Sequence, residues 1–256
     1  MSGESHWFES MADHMGEAYL RYSFTRGTGQ EVEFLCDVLG LEAGMRVLDV
    51  GCGPGRHAYA LAERGIECHG VDISERFVAI AKADAPAGAT FEVADARRLG
   101  QAGGAVAAQP FDAAISLCQG AFGLAAMPGA PVPPIDPDGA ILGSMARAVR
   151  PGGQIAVSAF SAYFQVRHLE DGDNFDADHG VNHERTTLLS PDGAELDHDL
   201  WTSCFTPREL RLLAASVGLE VAALWSVTPG RYGRRDPSIS EPEFLLVARR
   251  PVGGAW

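Results

Sequence analysis

The sequence predicts an α/β fold in which helices cover both faces of a mainly parallel, doubly wound sheet. Short apolar strands alternate with helical segments between residues 46 and 160, and this alternation is typical of βαβ units. A glycine-rich turn joins the first of these strands to its helix. Two late strands lie close enough in sequence to pair antiparallel. The 256 residues are predicted to form a single domain.

Each element of the alternating region is predicted from its apolar pattern and its end signals. Gly65 is expected to close the first helix, and Ser74 to cap the second. The turn from Arg150 to Gly153 ends the third helix and precedes the fifth strand. The strands are predicted at residues 46–50, 66–71, 90–93, 111–117 and 154–160, and the helices at 55–64, 74–83 and 139–149.

Segments outside this region are predicted to form N-terminal helices, an insertion and the end of the sheet. Residues 1–40 have apolar side chains at helical spacing and are expected to be helical, with the last helix closed by Gly40. Residues 161–203 form an insertion with a hairpin that turns at 191–193. A capping box from Thr206 to Glu209 begins a late helix. The remaining strands are predicted at 184–190 and 195–202 in the hairpin, and at about 221–227 and 243–248 near the end.

The composition argues against several kinds of partner. The formal net charge is −14, and an acidic surface repels the phosphates of nucleic acids and anionic lipids. No apolar run reaches the roughly 20 residues that a membrane helix needs. The N-terminal residues lack the pattern of a signal peptide, so a cytoplasmic location is expected. The five cysteines are scattered without a C-x-x-C pair, which fits free thiols rather than a zinc site. The sequence does not determine the oligomeric state.

The glycine-rich turn is the strongest functional signal. Residues 47–55 read Val-Leu-Asp-Val-Gly-Cys-Gly-Pro-Gly, in which Asp49 precedes Gly51, Cys52 and Gly53. The dinucleotide fingerprint G-x-G-x-x-G would place a third glycine where Arg56 stands. A carboxylate at position 49 would repel a pyrophosphate but suits a cofactor that carries an ammonium and a sulfonium. The loop therefore favours S-adenosylmethionine over NAD(P).

Two further acids follow the next strands of the predicted sheet. Asp72 comes about 20 residues after the glycines, where a carboxylate can bind both ribose hydroxyls. Asp95 ends the third strand, where it can accept a hydrogen bond from the adenine amino group. Ile73 and Ala96 would flank the adenine ring. A single acid at a strand end is commonly a helix cap, but three at successive strand ends favour a binding site.

With these motifs the chain resembles the class I S-adenosylmethionine-dependent methyltransferases. Residues 47–55, 70–74 and 94–96 match the family's first three motifs, and residues 150–153 match the turn before its fifth strand. The resemblance implies a Rossmann-like sheet of seven strands with the last strand antiparallel, and S-adenosyl-L-methionine as cofactor. It also implies that the segment after the fourth strand lies beside the cofactor, with Leu117 as a cofactor contact and Gln119 and Phe122 as acceptor contacts.

The methyl acceptor is expected to be a small molecule, methylated on O, N or C, rather than a nucleic acid. In related enzymes the N-terminal helix and the insertion close over the site. The resemblance therefore implies that residues 1–40 form an N-terminal helical lid and that residues 161–203 form part of the acceptor pocket. If a base is needed, His14, Tyr19 and Tyr22 are the candidates on the lid. Histidines 168, 179 and 183 are the candidates in the insertion.

Other functions remain open at this stage. The same loop could serve a NAD(P)-dependent oxidoreductase, although the missing third glycine and Asp49 argue against it. The chain could also be a binding protein that keeps the fold without activity. His179 and His183, with nearby acids, could be read as a metal cluster, but the glycines around them indicate an irregular loop, and no metal is predicted.

Overall fold

The computed structural model describes residues 6–99, 106, 110–118, 120–126 and 136–253. In chain order its strands are β1 Arg46–Val50, β2 Glu67–Asp72, β3 Ala89–Val93, β4 Phe111–Ser116, β5 Val149–Ser161, β6 Asn174–Asp176, β7 Val181–Leu189, β8 Glu195–Phe205, β9 Glu220–Val227 and β10 Glu243–Arg249. Its helices are α1 Trp7–Met15, α2 Thr28–Leu39, α3 Arg56–Ala62, α4 Glu75–Ala83, α5 Pro137–Ala148, α6 Ala162–Arg167 and α7 Pro207–Ser216.

The central sheet has the strand order β3-β2-β1-β4-β5-β10-β9. Strands β1 to β5 are parallel, and β10 is antiparallel to both of its neighbours. This confirms the predicted Rossmann-like sheet of seven strands with the last one reversed. Because the five parallel strands share one direction, their carboxyl ends meet at one edge of the sheet.

The core consists of two layers, one on each face of the sheet. On one face α5 and α7 bury Leu142, Met145 and Leu210 against the strands. On the other face α2 and α3 bury Leu35 and Leu61. Parallel strands that are buried on both faces are apolar along their whole length, and this is why the sequence shows them as short apolar runs.

The N-terminal segment is less regular than the sequence predicts. Helix α1 begins at a capping box between His6 and Glu9, and it ends at Gly16, whose φ is +45°. Two 3-10 turns, Gly16–Arg21 and Ser23–Gly27, then lead into α2. The helical spacing of the apolar residues continues through this break, so the spacing alone could not show it.

The insertion forms an antiparallel meander, β6-β7-β8, which includes the predicted hairpin and its turn. The third strand, β6, was not predicted from the sequence. The meander joins the central sheet where Phe160 of β5 pairs with Cys204 of β8. Leu188 of β7 packs against Phe8 and Met15 of α1, so the N-terminal segment and the insertion contact each other.

The predicted end signals hold at α2, α4 and α7. They do not hold at α3, which ends at Ala62 before the predicted Gly65, or at α5, because β5 begins at Val149 and residues 150–153 lie in the strand rather than in a turn. Gly40 is left-handed (φ +59°) at the end of α2, and Ser74 accepts a hydrogen bond from the N–H of Phe77 at the start of α4. The capping box of Thr206 and Glu209 is formed at α7. In the described part of the chain, none of the helices is long and apolar enough to span a bilayer.

Candidate active site

The glycine-rich turn between β1 and α3 lies at the carboxyl edge of the sheet. Gly51, Gly53 and Gly55 have φ of +73°, +53° and +88°, a region that favours glycine. The N–H groups of Gly51 and Cys52 both donate to the carbonyl of Val71 in β2, at 2.8 and 3.0 Å. A Cβ on Gly51 would lie 2.0 Å from the carbonyl carbon of Gly120. Glycine at position 51 is thus required both by the backbone angle and by the approach of the loop after β4.

Asp72 at the end of β2 fixes the geometry of this turn. Its Oδ2 accepts from the N–H of Gly53 at 2.8 Å, and its Oδ1 from the N–H of Ser74 at 2.9 Å. The side chain is buried, and burial raises its pKa to about 6 although these N–H groups lower it. Each carboxylate oxygen keeps a second lone pair. The group that holds the loop in shape can therefore also accept hydrogen bonds from a ligand.

Asp95 after β3 is paired with Arg97. Its two oxygens accept from Nε and Nη2 of Arg97, at 2.9 and 2.8 Å, and Oδ1 also accepts from the N–H of Arg97. These hydrogen bonds and the positive charge lower the pKa of Asp95, against the effect of burial. The carboxylate also caps the short 3-10 turn Ala96–Arg98. Capping and ligand contact are thus compatible at this position rather than exclusive.

A cleft of about 440 Å³ opens beside these residues. Five predicted cofactor contacts line it, namely Gly51, Asp72, Ile73, Asp95 and Ala96. The rest of its lining is His6, Phe8, Val71, Ala94, Arg97, Gly120, Ala121, Leu124, Ala125 and Ile141.

Asp49 lies behind the turn, where its side chain is only 1% exposed. Its Oδ2 has no hydrogen-bond partner among the described residues. Burial, with a further contribution from the Asp72 carboxylate, raises its pKa to about 7, although Arg56 lowers it. An unpartnered buried carboxylate oxygen is costly unless a ligand supplies a donor. The Asp49 carboxylate would therefore attract a cationic group of a ligand and would repel a pyrophosphate.

A buried ion cluster links helix α2 to the glycine-rich turn. Glu31 of α2 is 0% exposed, and its Oε2 lies 2.8 Å from both Nη1 of Arg56 and Nε2 of His57. Arg56 also donates to Sγ of Cys118 at 2.7 Å. Although burial opposes it, these partners hold the pKa of Glu31 at about 2, and burial lowers that of His57 to about 4. We call Glu31, Arg56, His57 and Cys118 the Glu31 cluster.

The Glu31 cluster includes three potential metal ligands, Glu31, His57 and Cys118, whose ligand atoms all lie within 4.8 Å of one another. The guanidinium of Arg56 contacts two of them, Glu31 and Cys118. A divalent cation at this position would face that fixed positive charge, so the arrangement favours an ion-pair network.

Among the candidate bases, Tyr19 lies nearest to the turn. It packs 5.0 Å from the ring of Phe77, and a Cβ on Gly53 would be 3.9 Å from its ring. Burial raises its pKa, which keeps the hydroxyl protonated at neutral pH. His14 instead faces the hairpin, with Nε2 at 3.3 and 3.2 Å from the carbonyls of Leu188 and Ala194. The hydroxyl of Tyr22 accepts from the N–H of Leu189 at 3.4 Å. The structure therefore brings only Tyr19 of these three beside the turn.

The predicted contacts after β4 lie in different places. Gln119 lies outside the described residues. Phe122 is fully buried and stacks on Phe205 at 5.0 Å in the core beneath α5, a position that does not favour contact with an acceptor. Leu117 and Cys52 are buried in the core on the α2 and α3 side, behind the cleft lining.

The histidines of the insertion do not converge. His179 pairs with Asp176 at 2.6 Å, and His183 pairs with Asp199 at 2.9 Å while stacking on Trp201. Because His183 lies on a strand and His179 precedes it in a turn, the H-x-x-x-H spacing does not put both on one helix face. His168 packs against Phe164 at the end of α6.

Comparison with known proteins identifies the family. Residues 41–202, more than half of the chain, match the family model described as "Methyltransferase domain". The chain belongs to the methyltransferase domain family. It is a class I, S-adenosylmethionine-dependent methyltransferase, and S-adenosylmethionine is its cofactor. This membership argues against the NAD(P)-dependent oxidoreductase considered from the sequence.

Individual relatives agree with this family. The methyltransferase is 29% identical over 245 residues to 27-O-demethylrifamycin SV methyltransferase from Amycolatopsis mediterranei, covering 85% of this chain and 81% of the relative. The CcbJ methyltransferase of Streptomyces caelestis shares the fold with a TM-score of 0.75 at 20% identity, covering 97% and 100% of the two chains. SAM-bound CalS10, an amino pentose methyltransferase from Micromonospora echinaspora, has a TM-score of 0.60 at 20% identity, with 91% and 95% covered. Two other curated relatives are matched over only 19% and 17% of their length.

Several residues of the site could not be found from the sequence. His6 and Phe8 of the N-terminal segment and Leu124 and Ile141 line the cleft, because the fold brings distant segments to one edge. The sequence predicts helices around Phe8 and Ile141 without indicating which face meets the cleft, and it gives no signal at His6 or Leu124. In the sequence, Arg56 stands out only because it occupies the third-glycine position of the dinucleotide fingerprint. No neighbouring residue indicates that its side chain is buried within the Glu31 cluster.

Proposed function

We propose that this methyltransferase transfers a methyl group to an oxygen, nitrogen or carbon atom of a small-molecule acceptor. The observation that carries the proposal is the contact between the lid and the insertion, where Leu188 packs on Phe8 and Met15. In addition, Trp7 Nε1 donates to the carbonyl of Ala126 in the loop after β4, at 2.9 Å. These contacts form a cover over the carboxyl edge of the sheet, which suits a small enclosed acceptor better than a flat macromolecular surface.

The relatives support a small acceptor. One is named for 27-O-demethylrifamycin SV and one for an amino pentose. The acidic charge of −14 disfavours a nucleic acid. The cytoplasmic location and the absence of a membrane partner stay predictions from the sequence. Within this proposal, residues 1–40 act as the lid of a single domain, and residues 161–203 form part of the acceptor pocket.

We assign the donor site to the cleft and the turn beside it. Asp72 would accept hydrogen bonds from the ribose hydroxyls through its free lone pairs, and Asp95 from the adenine amino group, with Ile73 and Ala96 against the ring. Gly51 and Gly53 allow the backbone to approach the methionyl part, and Cys52 and Leu117 support this wall from the core. Asp49 would attract the ammonium group with its unpartnered oxygen. When bound, the cofactor supplies an electrophilic methyl group whose bond to sulfur breaks with the electron pair left on sulfur.

The chain's own residues would align the acceptor and exclude water. An electron pair of the acceptor forms the new bond to the methyl carbon: a lone pair on oxygen or nitrogen, or a carbanion or π pair on carbon. An acceptor that carries a hydrogen on the reacting atom also loses a proton. Tyr19 is placed to shape this region, while its raised pKa makes it a hydrogen-bond donor rather than a base. His14, bound to two carbonyls of the hairpin, would hold the cover in place.

Asp72→Asn tests the donor assignment. The asparagine amide keeps the size of the side chain but has a single acceptor oxygen. It cannot accept hydrogen bonds from the N–H groups of both Gly53 and Ser74 and also from two ribose hydroxyls. We expect the dissociation constant for S-adenosylhomocysteine to rise about 10- to 100-fold, because losing hydrogen bonds to a charged group costs about 1.5–3 kcal/mol. Isothermal titration calorimetry measures this change.

The matched control is Asp84→Asn, which makes the same change of charge at an exposed position. It should leave the affinity unchanged. Equal affinity in wild type and Asp72→Asn would contradict the ribose assignment, and tight binding of NADH by the wild type would contradict the cofactor.

Methyl transfer tests the acceptor class and separates an enzyme from an inactive binding protein. Labelled S-adenosylmethionine is incubated with the wild type and with small-molecule libraries, RNA, DNA or a protein mixture. We expect label in small molecules only. At donor concentrations near the wild-type dissociation constant, Asp72→Asn should give about 5- to 50-fold less label, because its donor site is then mostly empty. Label mainly in a macromolecule would reject the proposal.

A further inference from the structure

One face of the sheet continues from the central strands into the meander. Directly paired residues of neighbouring strands point to the same side, and alternate residues of one strand do likewise. Glu243 pairs with Phe160, which pairs with Cys204, and Thr202 two residues earlier pairs with Asn182. Glu184 follows on the same side of β7. We call Glu243, Cys204, Thr202, Asn182 and Glu184 the polar face.

The polar face points toward the lid and lies next to the proposed donor site. Leu188 and Leu200, further along the same side of β7 and β8, pack against α1. At the other end, Ser158 lies two residues before Phe160, and its Oγ accepts from the N–H of Cys118 at 2.8 Å. Cys118 belongs to the Glu31 cluster beside the glycine-rich turn. The polar face thus extends from the donor side to the cover.

Asn182 is the unusual member of this face. Its side chain is 0% exposed, yet neither the amide nitrogen nor the amide oxygen has a hydrogen-bond partner among the described residues. Buried polar groups in folded proteins are nearly always paired, and an unpaired one destabilises the fold. Residues that weaken the fold in this way are typical of binding sites.

The surroundings of Asn182 are acidic. Burial raises the pKa of Glu184, and the neighbouring carboxylates of Asp173 and Glu170 raise it further. Glu243 is 3% exposed. Burial raises the pKa of both Cys118 and Tyr232, and the negative charge of Glu243 raises it further. Carboxylates on both sides of a buried amide favour a cationic ligand that also carries hydrogen-bonding groups.

We propose that the polar face is the acceptor subsite, that the Asn182 amide binds a hydroxyl-bearing part of the acceptor, and that Glu184 and Glu243 select an acceptor with an amino group. This inference rests on the proposed function, since it names the acceptor chemistry of that same site. The amide would donate through Nδ2 and accept through Oδ1. A protonated amine near the carboxylates could transfer its proton to one of them, which frees the nitrogen lone pair to accept the methyl group.

The chain contains only two asparagines, Asn174 and Asn182, which makes a direct test practical. Protein labelled with ¹⁵N on asparagine gives two side-chain amide signals in NMR, and Asn174→Gln removes one and so assigns the other. The protein is saturated with S-adenosylhomocysteine and titrated with three matched probes: glucosamine, glucose and glucuronate. They carry an amine, a hydroxyl and a carboxylate on the same kind of ring.

We expect glucosamine to shift the Asn182 signal in a saturable way, while the signal of Asn174, which is exposed, stays in place. Glucose should bind more weakly by about tenfold or more, since it lacks the charge, and glucuronate should give no saturable shift. No shift of Asn182 with glucosamine, or equal shifts with glucuronate, would overturn the inference.

Asn182→Leu adds a readout that does not depend on the probe. Leucine fills a similar volume without unpaired polar atoms, so the melting temperature should rise by about 2–4 °C. The affinity for S-adenosylhomocysteine should stay unchanged, and that for glucosamine should fall at least tenfold. A lower melting temperature would show that the amide has partners within the folded protein and would overturn the inference. If the wild type did not bind S-adenosylhomocysteine at all, the proposed function itself would be rejected.

Discussion

Arg56→Met is expected to lower the free energy of unfolding by about 3–5 kcal/mol, because it leaves a buried carboxylate without its cation. The side chains of Arg56 and Glu31 are 9% and 0% exposed, and their atoms lie 2.8 Å apart. Without Arg56, the partners that Glu31 keeps among the described residues are His57 and the N–H of Gly230. Urea denaturation, followed by circular dichroism, measures the loss.

Two further variants test the reason for this loss. Adding Glu31→Gln to Arg56→Met should recover part of the stability, since the buried charge is then removed as well. Arg150→Met breaks the exposed ion pair with Asp112, in which the arginine is 48% exposed, and should cost less than about 1 kcal/mol. If Arg56→Met and Arg150→Met had equal effects, the Glu31 cluster would not stabilise the lid against the turn.

The affinity for S-adenosylmethionine is expected to fall as the pH drops below 7. Burial raises the pKa of Asp49 to about 7, so this carboxyl is largely protonated at pH 6. A cationic ligand binds the carboxylate form, and binding must then displace a proton. For one group the dissociation constant should rise by up to about tenfold per pH unit below 7 and level off above it. Titrations from pH 5.5 to 8.5 measure the slope.

Asp49→Asn should flatten this profile and weaken binding at pH 8, whereas Asp84→Asn should leave the slope unchanged. Asp72, with a pKa raised to about 6 by burial, adds a further decline at lower pH. A wild-type slope that persists in Asp49→Asn would show that another group carries the effect.

The same two carboxyls give the unliganded protein a pH dependence of the opposite sign. Their pKa values in the folded state lie above the ordinary 3.8, so the folded protein holds protons that the unfolded chain releases. Their contribution to stability is therefore greatest near pH 4 and is lost as the pH rises through 6 and 7. Glu31 acts in the other direction, since its depressed pKa of about 2 gives stability above pH 4.5 that is lost in acid.

Local signals predicted the regular elements well, because each depends on neighbours in the sequence. Gly40, Ser74 and the capping box at Thr206 end or begin helices where the sequence predicts them. The antiparallel pairing of the last two strands is confirmed. The break at Gly16 was missed, since apolar spacing continues through a 3-10 turn. Strand β6 was missed because three residues are too short to show alternation.

The sequence by itself determined the fold class and the methyl donor. The glycines adopt positive φ, and the acids follow successive strands. Because those strands are parallel, their carboxyl ends lie together, so the sequence motifs alone place these residues at one edge of the sheet. Only the tertiary structure decided how those groups are used. It left an oxygen of Asp49 and the amide of Asn182 without partners among the described residues, and it buried Arg56 against Glu31. These properties depend on which distant side chains share a small volume with little water, and burial of that kind comes from packing across the whole chain.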